Sequence, residues 1–312
     1  MPEEVKMQRY LLKRIFQAII TVFLMSIIVF ILGRLSGDPV ALLLGEQATK
    51  EEVELITKDL GLDKPLPVQY GVFLSNALHG DLGKSIRGAR RPVIQMLGER
   101  IPASFQLAAV AALLSIIIGI PIGVISAVRR GSILDTAGRV LAMLGQSMPA
   151  FWVGIVLMYI ISVQLHWLPT SGYGNVKQII LPAVALSGVS LAGIVRLTRS
   201  SMLDVLGGEY VKLARIKGLS ETRVIWKHAF SNSLIPVLTF VGTLLTGLMT
   251  GVVVIETIFA WPGLGRLAWE AVSTRDYPTI QGVVLFMTVL FVTANLVVDI
   301  LYAYVDPRIR YN

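Results

Sequence analysis

The sequence has no cysteine, few histidines and few charged residues, and each shortage excludes a kind of chemistry. Without cysteine the chain has no disulfide, no thiolate metal ligand and no cysteine nucleophile. Its three histidines, His79, His166 and His228, are far apart and lack the spacing of metal ligands. Only 15% of the residues are charged, against about 25% in soluble domains. The composition therefore predicts that lipid, rather than water, is the main solvent.

Long apolar runs are abundant: 54% of the residues are hydrophobic and the mean hydropathy is +0.70. A helix needs about 20 apolar residues to cross a hydrocarbon core about 30 Å thick. The first run, Ile15–Gly33, exceeds the roughly 7–15 residues of a signal-peptide core, and no small-residue cleavage site follows it, so we expect an uncleaved span. The runs predict an all-α membrane protein with six transmembrane helices in this order: N-terminus 1–14, span one 15–33, subdomain 34–100, span two 101–128, span three 140–165, span four 178–199, loop 200–230, span five 231–259, span six 277–303 and tail 304–312.

Lysine and arginine are unevenly distributed between the predicted loops, and this asymmetry orients the chain. The segments 1–14, 129–139, 196–230 and 306–312 together carry 16 basic residues, whereas the short loops on the other side carry three. Basic residues near span ends face the cytoplasm. We therefore expect both termini and the 200–230 loop to be cytoplasmic, and the 34–100 subdomain to be outside.

The 34–100 insert has the sequence signals of small helices. Thr49 followed by Glu52 makes a capping box, and Gly61 is suited to end that helix. Pro65 and Pro67 then predict a break before a second short helix near Gln69–Leu78. We expect a small helical outer subdomain between spans one and two.

The stretch His79–Ser85 ends in Gly-Lys-Ser, like a phosphate-binding loop. That motif needs a second glycine five residues before Gly83, where this chain has Leu78, and no strand precedes it. We interpret the stretch as a glycine-rich turn that does not bind ATP.

The 200–230 loop contains a helix–glycine–helix pattern. Glu209–Lys217 can form a short helix, Gly218 suits the left-handed position after it, and Ser220 can cap a second helix. Such a basic unit also occurs in DNA-binding motifs, but a span flanks it on each side and no domain surrounds it, so we expect no nucleic-acid partner. A rigid docking element for a cytoplasmic protein is favoured, with a plain loop as the alternative.

This loop resembles the coupling segment of bacterial ABC-importer permeases. Ala214 and Gly218 match the last alanine and the glycine of the consensus, whereas Lys212 and Leu213 replace its glutamate and first alanine, and the proline comes late, at Pro236. These departures are typical of the dipeptide/oligopeptide/nickel branch of the family. Its Tyr-x-x-x-Ala-x-x-Lys-Gly-Leu-Ser pattern is matched by Tyr210, Ala214, Lys217, Gly218, Leu219 and Ser220.

Similar matches run along nearly the whole chain. Six short motifs in the expected order look like that branch: Gly37-Asp38-Pro39, Leu60-Gly61-Leu62-Asp63-Lys64-Pro65, Gly80-Asp81-Leu82-Gly83, Trp261-Pro262-Gly263-Leu264-Gly265, Arg275-Asp276-Tyr277-Pro278 and Asp306-Pro307-Arg308-Ile309-Arg310-Tyr311. The insert after span one resembles the first of two paired pore subunits, of the dipeptide or glutathione permease type, with 101–312 as the permease core.

The resemblance implies a type I ABC importer permease in a bacterial or archaeal cytoplasmic membrane. A second homologous permease subunit, two ATPase subunits that bind ATP and Mg²⁺, and an outer substrate-binding protein are its implied partners, beside membrane lipid and a di- or oligopeptide-like substrate. The chain itself would be no enzyme and would hold no cofactor. The residues implied to couple it to the ATPases are Glu209, Tyr210, Ala214, Lys217, Gly218, Leu219, Ser220 and Glu221.

Ionisable residues inside spans are costly in lipid and usually face protein or water. Glu256, with Phe259 and Trp261 just beyond it, is a candidate for the solute pathway or outer gate; a structural, paired carboxylate is the alternative. Asp299 is expected to be structural.

Arg196 and Arg199 are expected to reach lipid headgroups from the inner end of span four. In span two, Gly119, Pro121 and Gly123 indicate a close helix contact or a kink.

Two other functions compete with this interpretation. A stand-alone secondary transporter or channel typically shows repeats and several midplane charges. A membrane-embedded hydrolase needs a catalytic pair within its spans, such as two aspartates. Neither set of features is visible in the sequence, and neither function explains a docking loop.

Overall fold

The computed structural model describes residues 3–35, 40, 44, 49–59, 61–87 and 90–305. Within these ranges the chain is helical, with an isolated antiparallel bridge between Lys84 and Pro92. The motif at 37–39, Leu60 and the motif at 306–311 lie outside the described residues.

The helices are α1 Glu3–Leu35, α2 Lys50–Asp59, α3 Leu66–Leu78, α4 Val93–Val128, α5 Ile133–Ser147, α6 Ala150–Leu157 with a π-helical continuation Met158–Gln164, α7 Val176–Leu206, α8 Glu209–Ile216, α9 Glu221–Arg223 with a π-helical continuation Val224–Phe230, α10 Ser231–Ile258, α11 Leu264–Thr274 and α12 Tyr277–Val305.

The described part of the chain has five helical segments long and apolar enough to cross a membrane, or six if the bent pair of α5 and α6 is one span. The fold is therefore that of an all-α membrane protein with five or six candidate spans. The straight candidates are Leu11–Leu35, Val93–Val128, Val176–Leu206, Glu221–Met249 and Tyr277–Ile300.

The third span differs most from the sequence prediction, which placed one helix over 140–165. The structure starts this region at Ile133 and bends it by 107° between Ser147 and Ala150. The cause is Pro149, which has no backbone N–H and forces Met148 into an extended conformation with φ −93° and ψ 126°. A helix cannot run through that point, so the apolar run becomes two helices.

The chain divides into two compact units, one formed by 1–102 and 262–312 and the other by 103–261. In the first unit α1 packs along α12. Next to this pair lies a buried core of Val93, Leu97, Leu264, Leu267 and Val283, which joins the start of α4 to α11 and α12.

Two helices of the 34–100 insert follow the capping rules. Thr49 N–H donates to Glu52 Oε2 at 2.9 Å, and Glu52 N–H donates back to Thr49 Oγ1 at 3.3 Å. The bond from Thr49 N–H, together with one from Thr49 Oγ1 to Glu52 Oε2 at 2.9 Å, lowers the pKa of Glu52. Gly61, with φ +63°, ends α2. The second helix begins at Leu66, earlier than predicted, because prolines fit the first turn of a helix.

The glycine-rich stretch before α4 is a turn held against the start of α12. Gly80 and Gly83 both have φ +81°, a backbone conformation that favours glycine. Ser85 Oγ donates to Asp276 Oδ2 at 2.5 Å, and Ile86 N–H donates to Asp276 Oδ1 at 3.1 Å. The end of the glycine-rich stretch and the Arg275-Asp276-Tyr277-Pro278 motif, which are distant in sequence, thus meet in one hydrogen-bonded cluster.

In the second unit, α4 and α7 approach closely at small residues. A Cβ on Gly119 would lie 2.9 Å from Ile194 Cγ2, and one on Gly123 would lie 2.6 Å from Thr198 Cβ. Between these helices and α10 lies a core rich in alanine, leucine and isoleucine. The glycines of span two therefore make a close helix contact, while Pro121 is accommodated within a continuous α4.

Candidate functional site

The short helix α8 is held against its own unit by one face. Val211 and Ala214, three residues apart, are both buried on this face. They belong to a core, here called the loop core, whose buried members are Val124, Ala127, Met202, Val211, Ala214, Val224 and Ala229. These residues come from α4, α7, α8 and the π-helical turn, so α8 is packed onto two predicted spans rather than suspended in the loop.

The rest of the α8 surface presents apolar side chains to the solvent. Tyr210 is 45% exposed, Leu213 50% and Ile216 81%. A pair between Lys212 Nζ and Glu209 Oε1, 2.8 Å apart, lies on the exposed helix beside them. We call Tyr210, Leu213 and Ile216 the docking face. Exposed apolar side chains rimmed by charge are typical of a protein–protein contact.

Gly218 ends α8 with a Schellman motif. Its φ of +75° is left-handed. Gly218 N–H donates to Arg215 O at 2.9 Å, and Leu219 N–H donates to Ala214 O at 3.3 Å. The motif usually brings a hydrophobic contact between these two positions; Ala214 belongs to the loop core, and Leu219 is partly buried against it. The spacing from Ala214 to Gly218 therefore fixes where the helix stops and how the chain turns.

Beyond the turn, Ser220 and Glu221 begin the next helix in a way only partly predicted. Ser220 has the extended backbone of an N-cap and its carbonyl accepts Val224 N–H at 3.0 Å. Its side chain makes no capping hydrogen bond within the described structure, so the predicted capping involves the backbone alone. Glu221 instead pairs with Arg215 Nε at 2.9 Å. This ion pair connects the end of α8 to the start of α9 across the turn, at exposed side chains. Lys217, within the turn, is also exposed.

The turn continues without a break into a predicted span. After Glu221–Arg223 the chain forms a π-helical turn over Val224–Phe230 and then α10. Val224 and Ala229 of this turn are buried in the loop core. The loop core therefore joins α8 to α4, to α7 and to the π-helical turn that leads into α10.

A buried ion pair near this loop was not predicted. Asp135, at the start of α5, receives Arg199 Nε at 2.7 Å on Oδ1 and Arg199 Nη2 at 3.0 Å on Oδ2. Gly131 N–H also donates to Asp135 at 2.9 Å. The prediction that Arg199 reaches lipid headgroups is therefore wrong, because a buried carboxylate binds it. Arg196 donates to Gln146 Oε1 at 3.1 Å.

The sequence offered one signal for this pair. Asp135 lies three residues after the helix-capping Ser132, whose Oγ accepts Asp135 N–H at 3.3 Å. It is also the acidic residue of an otherwise basic segment, 129–139. Neither signal indicates which arginine is its partner.

The three residues predicted at a pathway or outer gate are buried within the second unit. Glu256 is fully buried and accepts Ser104 Oγ at 2.5 Å. Trp261 Nε1 donates to Ala103 O at 2.8 Å, and Phe259 lies in the same core. In this conformation their side chains pack within the protein and present no surface to a solute, which favours the structural alternative for Glu256.

Asp299 is paired inside the first unit, with Arg14 Nη1 at 3.2 Å from its Oδ2. This ion pair agrees with a structural role for Asp299. In the part of the chain that the structure describes, no group of three or more acidic or histidine side chains is placed to hold a metal ion.

The chain matches two family descriptions. Residues 119–311 match the "Binding-protein-dependent transport system inner membrane component" family, and residues 7–108 match the N-terminal domain of the same kind of membrane component. Crystal structures of the inward-facing MetNI methionine ABC transporter share the fold at 16–17% sequence identity, with TM-scores of 0.52 and 0.57, over 68% of this chain and 97% of theirs.

Curated relatives match over almost the entire length. A permease assigned to a peptide transport system of Brucella abortus is 44% identical, and the glutathione transport system permease of Pectobacterium atrosepticum is 43% identical, each over 98% of this chain and 100% of the relative. The glutathione transport system permease of Escherichia coli K12 is 41% identical over the same shares. The chain therefore belongs to the family of binding-protein-dependent transport system inner membrane components.

Proposed function

We propose that this chain is a pore-forming permease subunit of an ATP-driven importer for short peptides, a class that includes the tripeptide glutathione. The docking face of α8 carries the proposal, because it is an exposed apolar surface on a helix that is firmly packed onto the spans. The relatives support the substrate class, since they are permeases of peptide and glutathione transport systems.

The proposed assembly has a second homologous permease subunit, two ATPase subunits that bind ATP and Mg²⁺, and an outer substrate-binding protein. Both termini and the 200–230 loop face the cytoplasm in this arrangement. The support is the charge distribution, with 16 basic residues in the segments assigned to the inside and three in the short loops assigned to the outside.

Coupling in this proposal is mechanical. One ATPase grips the docking face, and closure of the two ATPases around ATP displaces α8. The loop core transmits the displacement to α4 and α7 and, through the π-helical turn, to α10, because close-packed interiors move as rigid bodies rather than deforming continuously. Repacking of the spans then alternates access to the pathway.

The experiment is a substitution on the docking face, Ile216→Glu, in the complex co-expressed with its ATPase subunits. Burying an isoleucine contributes about 1.5–3 kcal/mol, so the loss should weaken ATPase binding about tenfold or more. Co-purification of the ATPases and uptake of labelled dipeptide and glutathione into proteoliposomes are measured.

The matched control is Val176→Glu. Val176 is 78% exposed, close to the exposure of Ile216, but it lies at the opposite end of α7. It should leave ATPase binding unchanged. If Ile216→Glu binds the ATPases normally, the docking role is refuted. Uptake by the chain alone, without ATPases, would instead support the stand-alone transporter.

A further inference from the structure

A cavity in the first unit has walls from three parts of the chain: the end of α1, the turn before α4 and the start of α12. Its volume is about 360 Å³. The lining residues are Gly33, Arg34, Leu62, Gly83, Lys84, Ser85, Ile86, Arg90, Tyr277, Pro278 and Gln281.

The cavity is strongly cationic. Arg34, Lys84 and Arg90 line it, and no acidic side chain does so among the residues that the structure describes. Two carboxylates close in sequence to lining residues, Asp276 and Asp81, accept hydrogen bonds from neighbouring groups and do not themselves line the cavity. Asp276 accepts from Ser85 Oγ, from Ile86 N–H and from Thr279 Oγ1, the last at 2.7 Å, and Asp81 accepts Gly83 N–H at 2.9 Å. The three positive charges are therefore concentrated in one cavity without a matching negative charge from its described lining.

Arg34 shows most clearly that the cavity is suited to an anion. Its Nε is buried and has no hydrogen-bond partner in the described structure. The guanidinium lies over the Phe30 ring, 5.3 Å from the centroid, which satisfies none of its N–H groups. A buried donor on a cation costs free energy unless an acceptor binds it. The side chains of Lys84 and Arg90 are exposed and can bind the same anion as Arg34.

The depth of the cavity identifies the acceptor. Arg34 lies in the last turn of the Leu11–Leu35 candidate span, which at 1.5 Å per residue is about 37 Å long and extends beyond the hydrocarbon core of about 30 Å. Lipid phosphates lie at that level. Below it, α1 exposes a run of large apolar side chains that can contact an acyl chain: Leu24, Ile28, Ile31 and Leu32.

We propose that this cavity binds the phosphate headgroup of an anionic phospholipid, with an acyl chain along the exposed side of α1. The lipid belongs to the outer leaflet if the orientation under Proposed function holds. The binding itself depends neither on coupling nor on the substrate.

The test titrates the purified importer complex in detergent with dioleoyl phosphatidylglycerol and measures the first lipid bound by native mass spectrometry. The cavity variant carries Arg34→Gln, Lys84→Gln and Arg90→Gln. The control carries Lys50→Gln, Lys58→Gln and Lys64→Gln, which remove equal charge from the same insert outside the cavity. Each cavity charge should contribute about fivefold in affinity, so the cavity variant should lose about 100-fold and the control almost nothing.

Three results would overturn the proposal. Equal losses in both variants would mean a general surface-charge effect, and displacement of the lipid by excess inorganic phosphate would mean a site for free anions. Unchanged lipid affinity with weakened docking of the substrate-binding protein would assign the cavity to a protein partner. If the triple variant fails to assemble, Lys84→Gln alone, at an exposed side chain, should lose about fivefold, and an unchanged affinity refutes the proposal.

Discussion

Replacing Gly218 tests whether the turn after α8 transmits force. An L-residue in left-handed backbone costs about 1–2 kcal/mol, and a β-branched side chain is the least suited to it. No described atom lies within 4 Å of a Cβ built on Gly218, so Gly218→Val acts through the backbone rather than through a clash. That free energy corresponds to a roughly 5–30-fold shift away from the Schellman turn.

The expected phenotype is uncoupling rather than loss of the complex. Val211 and Ala214 keep α8 in the loop core, so the docking face still binds the ATPases. The angle between α8 and the helix leading into α10 is no longer fixed. In proteoliposomes, Gly218→Val should hydrolyse ATP at close to the normal rate, while the amount of peptide taken up per ATP falls by up to about 30-fold.

Two variants separate this effect from general strain. Gly218→Asn should retain much of the uptake, because asparagine tolerates left-handed backbone. Gly80→Val places the same strain, at φ +81°, in the turn before α4, where no described atom lies within 4 Å of the new Cβ. It should leave uptake per ATP unaltered. Normal coupling in Gly218→Val, or an equal loss in Gly80→Val, refutes the reasoning.

Two further predictions concern the packing of the second unit. Asp135→Asn removes the bidentate partner of Arg199 and leaves a half-buried cation, which should destabilise the unit by about 1–3 kcal/mol. Thermal denaturation of the purified complex measures the loss of stability. An unchanged denaturation midpoint would contradict the prediction. Gly123→Val would bring a Cβ to 2.6 Å from Thr198 Cβ and force α4 and α7 apart, so little folded protein should be recovered after purification. The control is Gly98→Val, which has no described atom within 4 Å of its Cβ and should be recovered in normal yield.

Local signals in the sequence predicted several details of the structure. The Thr49–Glu52 capping box and the left-handed conformations of Gly61 and Gly218 follow from interactions within four or five residues. Side-chain types at those positions determine the backbone almost by themselves. The close approach at Gly123 was one of the two alternatives that the sequence indicated, the other being a kink.

Features that depend on distant residues were not predictable in the same way. Asp135 and Arg199 are 64 positions apart, and nothing near Arg199 distinguishes it from an arginine that reaches headgroups. Glu256 accepts from Ser104, 152 positions away. An acidic residue in a span indicates only that it needs a partner. Whether that partner is a neighbouring helix or a passing solute depends on the packing of the whole unit.

The structure also gives a physical reason for the way this loop departs from the general coupling consensus. Lys212 and Leu213, which replace glutamate and alanine, are both exposed, whereas Ala214 is buried and Gly218 requires left-handed backbone. The matching positions therefore set the length and attachment of α8 within this chain, and those positions tolerate little else. Under the proposed function, the exposed positions are constrained mainly by the ATPase that docks there. It follows that replacing Lys212 and Leu213 by other residues should change which ATPase binds, while the fold of the loop stays the same.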